Sequence, residues 1–141
     1  PGGYADHIAE TLRINAVTYE ALRALRPVDF TQDSATIALF FHDIEKPFRY
    51  GPADDPRCKP WQEKFTTPAD WEAAKWDILD MLKAAYGFNL TDEEINAIKY
   101  THGEGADHKK KARVSTPLAA HAHHCDNTSA RIWPEDGQGL G

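Results

Sequence analysis

The pair His42-Asp43 closes Ala35-Thr36-Ile37-Ala38-Leu39-Phe40-Phe41, the most apolar run in the chain, and two ionisable side chains at the end of such a run need partners. Left unsatisfied, a buried polar group costs about 1–3 kcal/mol, and more when charged. A divalent ion would satisfy both at once. Neighbours on a helix point about 100° apart, so the two side chains can close on one ion seated above the face between them. The competing arrangement is a neutral imidazole hydrogen-bonded to the adjacent carboxyl, and for the dipeptide alone that is the simpler account. Two further residues shift the balance. His7, with Asp6 and Glu10 beside it, lies near the start of a helical pattern. Asp126 lies midway along another, with Ala119, Ala122, Ser129 and Ala130 at i−7, i−4, i+3 and i+4. An acid among such small neighbours on an inward face is either a ligand or a misfit. His7, His42, Asp43 and Asp126 together make a mixed nitrogen and oxygen set that suits one Mn, Fe, Co, Ni, Zn or Mg ion per chain, with positions left for water.

Five main helices are expected to carry these residues, which makes the fold class all-α. Ile8, Leu12, Tyr19 and Leu22 recur at helical spacing from Tyr4 to Leu25, and Pro27 stops the pattern. The Ala35–Phe41 run, apolar on nearly every face, predicts a central second helix. Thr67-Pro68-Ala69-Asp70 supplies an N-cap, a proline in the first turn and an acid there too. Trp71, Ala74, Ile78, Leu82 and Ala85 then share one stripe up to Gly87. Thr91-Asp92-Glu93-Glu94 is a capping box that opens a fourth helix through Ile95 and Ile98, ending before Gly103. Ser115-Thr116-Pro117 opens a fifth, closed by Pro134. Residues 45–66 hold four prolines, so they are expected to form an irregular lid or binding loop rather than a regular helix. Residues 103–114, with Lys109-Lys110-Lys111, read as a solvated loop. The segment 134–141 reads as a glycine-rich, flexible tail of a single domain spanning 1–141.

Composition narrows the classes. With 16 Lys+Arg against 22 Asp+Glu the net charge is −6, a poor match to nucleic acid, whose binding requires a basic face. No stretch approaches the roughly 18 apolar residues of a membrane span, so no membrane partner is expected. Cys58 and Cys125 form no CxxC pair, and neither a disulfide framework nor a zinc knuckle is indicated. The opening Pro1-Gly2-Gly3 carries no apolar leader, and a reducing, cytoplasmic setting is the expectation. Exposed aromatics such as Trp133 leave room for a homo-oligomer.

The order of these motifs resembles the HD phosphohydrolase superfamily, whose metal motif runs H…HD…D. Tyr4-Ala5-Asp6-His7 resembles its first-histidine helix, and His42-Asp43-Ile44-Glu45-Lys46 resembles its signature with a trailing lysine. Ile98-Lys99-Tyr100-Thr101-His102-Gly103-Glu104 is similar to the stretch where di-metal members carry another histidine. Ala122-His123-His124-Cys125-Asp126 is similar to the final aspartate helix. The resemblance implies an HD-domain helical bundle and a metal-dependent phosphohydrolase that cleaves a phosphate ester or anhydride, such as that of a nucleotide, by a metal-activated water. Two departures stand out: no histidine occurs between His42 and His102, which speaks against a second metal, and Lys46 stands where monophosphate-hydrolysing relatives carry a glutamate.

Within that frame Asp43 ligates the ion and could orient the water, and Glu45 or Glu10 is a candidate base. Lys46 and Arg49 are placed to offset phosphate charge. His102 is a candidate to stabilise or protonate a leaving oxygen. Of the three histidines at 121, 123 and 124, His123 lies at i−3 from Asp126 and is the one assigned to substrate; His121 and His124, with His108, are expected on the surface. Tyr50 and Trp61 either stack on a base or pack the loop. Two rival functions remain open: a catalytically silent nucleotide-binding module, and a di-iron oxygenase.

Overall fold

The computed structural model describes residues 3–134; of the segment expected to form a flexible tail, residues 135–141 lie outside them. The described residues form seven α-helices and one short 3-10 turn, with no strand among them. These are α1 (Tyr4–Leu25), α2 (Gln32–Phe41), α3 (Lys46–Tyr50), α4 (Lys59–Lys64), α5 (Pro68–Tyr86), α6 (Asp92–Tyr100) and α7 (Pro117–Arg131). No helix among the described residues is long and apolar enough to cross a membrane. Two compact units divide the chain: one takes everything up to His42 and from Thr91 onward, and the other is Asp43–Leu90.

In the first unit α7 packs against α1, α2 and α6, while α2 also packs on α1 and α6. Its core includes Ile8, Leu39, Ile98 and Leu118, with Ala119, Ala122 and Cys125 buried on α7. Small side chains on the inward face of α7 let its backbone approach its neighbours closely, so polar groups on facing helices come within hydrogen-bond reach. The α1 stripe is less apolar than its spacing suggests. Thr11 and Asn15 are fully buried on it, and Leu22 is partly exposed. Buried polar groups persist only when bonded. Thr11 Oγ1 donates to the Ile8 carbonyl at 2.8 Å, and Asn15 Nδ2 donates to Thr36 Oγ1 at 3.2 Å. Glu94 closes the expected capping box with Thr91, and its second oxygen accepts from Ser34 Oγ at 2.9 Å.

The second unit corrects the expectation of an irregular segment over 45–66. Two short helices lie there, each with a proline in its first turn, Pro47 in α3 and Pro60 in α4. A proline in the first turn costs no hydrogen bond and presets the helical φ, so these prolines start helices instead of forbidding them. Gln62 Nε2 donates to the carbonyls of Phe48 and Gly51, both at 2.9 Å, and ties α4 to the end of α3. A side chain at Gly51 would meet Cys58 Sγ and the Pro47 carbonyl, so the close approach there requires glycine. Trp61 packs between Phe48 and Phe65, and Phe65 in turn meets Trp71. Tyr50 is exposed under the Arg49 guanidinium. The Thr67–Asp70 capping box opens α5 and left-handed Gly87 closes it. Its buried face carries Trp71, Ala74 and Ile78 of the expected stripe together with Lys75 and Leu79, whereas Leu82 is half-buried and Ala85 exposed.

Candidate metal centre

Three helices of the first unit bring His7, His42 and Asp126 together. His7 is in the first turn of α1, His42 caps the C-terminus of α2, and Asp126 is on the buried face of α7. Nε2 of His7 lies 2.8 Å from Asp126 Oδ1, and Nε2 of His42 lies 3.1 Å from the same oxygen. The unit boundary falls on the peptide bond after His42, and Asp43, carried by that bond, brings a carboxylate oxygen into the set. One ligand atom from each of His7, His42, Asp43 and Asp126 lies within 4.8 Å of the others, and this cluster could hold a metal ion.

The outer nitrogens of the two imidazoles decide what the inner ones can do. His42 Nδ1 lies 2.6 Å from the Leu39 carbonyl, which only accepts, so that nitrogen carries the proton. His7 Nδ1 lies 3.0 Å from Ser129 Oγ, whose own proton is given to Glu10 Oε1 at 2.7 Å, so His7 Nδ1 is also the donor. In the neutral ring the proton can sit on only one nitrogen. In neutral rings both Nε2 lone pairs therefore converge on a carboxylate oxygen, an arrangement relieved by added positive charge, either a second ring proton or a metal ion. That donor set, two imidazole nitrogens and two carboxylates, fits a first-row divalent ion or magnesium. Burial alone would raise the Asp126 carboxyl, but with the rings protonated and no metal bound, hydrogen bonds from His42 and His7 and the charges of His42 and His102 outweigh it and pull the group far below the ordinary carboxylate range.

Around this core the other expected residues take distinct positions. His102 is half exposed, with Nε2 3.7 Å from Asp126 Oδ2 and its ring edge-on to His42 at 5.3 Å between centroids. Gly103 follows it with φ +101, which lets the chain turn away at once. His123 is exposed, and its Nδ1 donates to the Thr101 carbonyl at 2.7 Å; it does not join the four-residue cluster. Lys46 reaches back one turn and sets its ammonium 3.0 Å from Asp43 Oδ2. Glu45 is buried, its Oε2 makes no hydrogen bond, and burial is the main reason its carboxyl is pushed up, partly offset by its own backbone hydrogen bond and the charge of Lys75. Arg49 stacks its guanidinium on Tyr50 at 5.1 Å.

No family model, no curated protein and no solved structure matches the chain. The site therefore rests on its own geometry.

Sequence reasoning did not find everything. Ser129 stands out at i+3 from Asp126 but counts there only as a small neighbour, whereas its hydroxyl links His7 to Glu10. Lys75 is nearly fully buried, with Nζ 2.8 Å from Glu72 Oε1, and an α5 stripe read for apolar residues passes over it. His121, expected on the surface, is instead buried against Asn15, whose Oδ1 lies 2.8 Å from its Nε2. The ring stacks on Phe30 at 5.0 Å, and burial, helped by the charge of His124, pushes its pKa down to about 4.

Proposed function

We propose that this chain is a metal-dependent phosphohydrolase of the HD type, holding one divalent ion on His7, His42, Asp43 and Asp126 and cleaving a phosphate ester or anhydride, most naturally of a nucleotide. The observation that carries this proposal is the pair of imidazoles whose outer nitrogens are both tied down as donors while their inner nitrogens face one carboxylate. A divalent ion held by these four residues would supply polarisation of a phosphoryl oxygen and a lowered pKa for an attacking water.

The chain's own residues supply the rest. Asp43, held by the Lys46 ammonium, is positioned to orient the water, and Lys46 balances negative charge on the phosphoryl group. His102, half exposed beside Asp126, is the proton donor for the leaving oxygen. Glu45, whose burial favours the protonated form, is the candidate proton acceptor close in sequence to Asp43. Half-buried Arg49 and exposed His123 are assigned to the more distant phosphate or sugar of a bound substrate. The four cluster residues include no serine or cysteine nucleophile, which is consistent with water as the attacking species.

The test is hydrolysis of a panel of nucleoside mono-, di- and triphosphates with Mn, Co, Ni, Zn and Mg. Turnover is expected to need an added metal and to vanish in His42→Ala. Undiminished activity in a metal-stripped His42→Ala/Asp43→Ala double variant would overturn the proposal.

A further inference from the structure

The two rungs that join α1 to α7 are built alike. His7 and Glu10 are three residues apart on α1, and Asp126 and Ser129 are three apart on α7, so each helix places one member at the cluster and one just outside it. The outer pair is linked by the Ser129 hydroxyl, which donates to Glu10 Oε1 at 2.7 Å and accepts from His7 Nδ1 at 3.0 Å. The direction of this chain is forced. A carboxylate only accepts, so the single hydroxyl proton goes to Glu10, and Ser129 can meet His7 only as an acceptor.

We propose that Ser129 and Glu10 are positioning residues which together fix the His7 tautomer and ring orientation and so keep Nε2 bare as a metal ligand. The assignment rests on the metal site proposed above. His42 has its Nδ1 proton held by the Leu39 carbonyl, a backbone group that no side-chain substitution removes. His7, in the first turn of α1, has the Ser129 hydroxyl at that nitrogen, so a side-chain relay takes the place of a backbone acceptor. Removing either member acts differently on the same proton. Ser129→Ala deletes the acceptor, so the ring is free to turn or change tautomer. Glu10→Ala leaves the hydroxyl in place but frees its proton to point at Nδ1, which favours the tautomer protonated at Nε2 and blocks the ligand atom. Partners of this kind outside the ligand shell are worth about 10- to 100-fold in metal affinity.

The experiment titrates Zn(II) alone into the chelator-stripped protein by calorimetry, for the wild type, Ser129→Ala, Glu10→Ala, Ser129→Thr and Asp126→Ala. The melting temperature of each stripped protein is recorded alongside. Expected are a loss of at least about tenfold in affinity for Ser129→Ala and Glu10→Ala, recovery to within a few-fold of wild type in Ser129→Thr, and no measurable binding in Asp126→Ala. In the Zn(II)-loaded wild type a hydrogen-bonded Nδ1 proton of His7 is expected by NMR, and it is expected to be missing in Ser129→Ala. Wild-type affinity in Ser129→Ala and Glu10→Ala, with binding still abolished in Asp126→Ala, overturns the relay and leaves the metal site standing. A lowered melting temperature with unchanged affinity also overturns it, because the contacts are then only structural. Failure of the wild type to bind Zn(II) removes the ligand role of His7 and takes both proposals down.

Discussion

Helix α7 contributes to two histidine clusters of the same unit, through His121 and through Asp126, and they place the imidazole proton on opposite sides of the ring. At His121 the inward nitrogen faces Asn15 Oδ1, while Asn15 Nδ2 is already committed to Thr36, so Nε2 must be the donor. The proton closes the network, and the nitrogen left over, Nδ1, is buried without a partner. At His7 and His42 the protons are held on the outside by Ser129 and Leu39, and the inward nitrogens are bare against Asp126. An amide with both donor and acceptor satisfies a neutral imidazole; a carboxylate shared by two imidazole lone pairs asks for a cation. The difference between a structural histidine and a ligand thus lies in what holds the far nitrogen, and burial alone does not separate them.

Making the His7–His42–Asp126 cluster resemble that of His121 is the most damaging change. Asp126→Asn replaces the shared carboxylate with an amide that can donate to one Nε2, and divalent-ion affinity is expected to fall by at least about a thousandfold, roughly 4 kcal/mol, by calorimetry. The His121 cluster instead shows itself in acid. The unfolded chain protonates His121 near its ordinary value of 6.5, whereas the folded chain resists until about 4. Its contribution is complete above 6.5 and lost as pH falls through that window, a decline on the order of 2–3 kcal/mol in urea-unfolding experiments. His121→Gln is expected to flatten this slope without touching metal affinity. Asn15→Leu strands the His121 donor and is expected to cost about 2 kcal/mol of stability, again with unchanged metal binding. The mildest test is chemical: burial, with some help from the Asp126 charge, pushes the Cys125 thiol up to about 11. Thiol reagents at pH 8 are therefore expected to modify Cys125 only after unfolding, as site-resolved mass spectrometry would show.

What could be read from the sequence was local. Thr67 with Asp70 and Thr91 with Glu94 announce their helices because a capping box needs only four consecutive residues. The stripe on α5 does so because periodicity reports burial. The four residues of the metal cluster were legible for a related reason: an ionisable pair at the end of an apolar helix, and an acid among small neighbours, are conflicts that the sequence itself displays. The relay through Ser129 and the pairing of His121 with Asn15 were not legible, because each joins residues more than a hundred positions apart. A serine beside alanines looks like spacing, and an asparagine within an apolar stripe looks like an interruption. Only the packing of α1 on α7 turns them into partners. Pro47 and Pro60 misled for the opposite reason: each reads as a helix breaker until its position in the first turn is known.

The account stands or falls on the number of ions the protein holds. Wild-type protein equilibrated with Mn, Co, Ni or Zn and then freed of unbound metal is expected, by elemental analysis, to retain one ion per chain, and His42→Ala and Asp126→Ala are expected to retain none. A wild type that retains no ion, or variants that retain as much as the wild type, would contradict it.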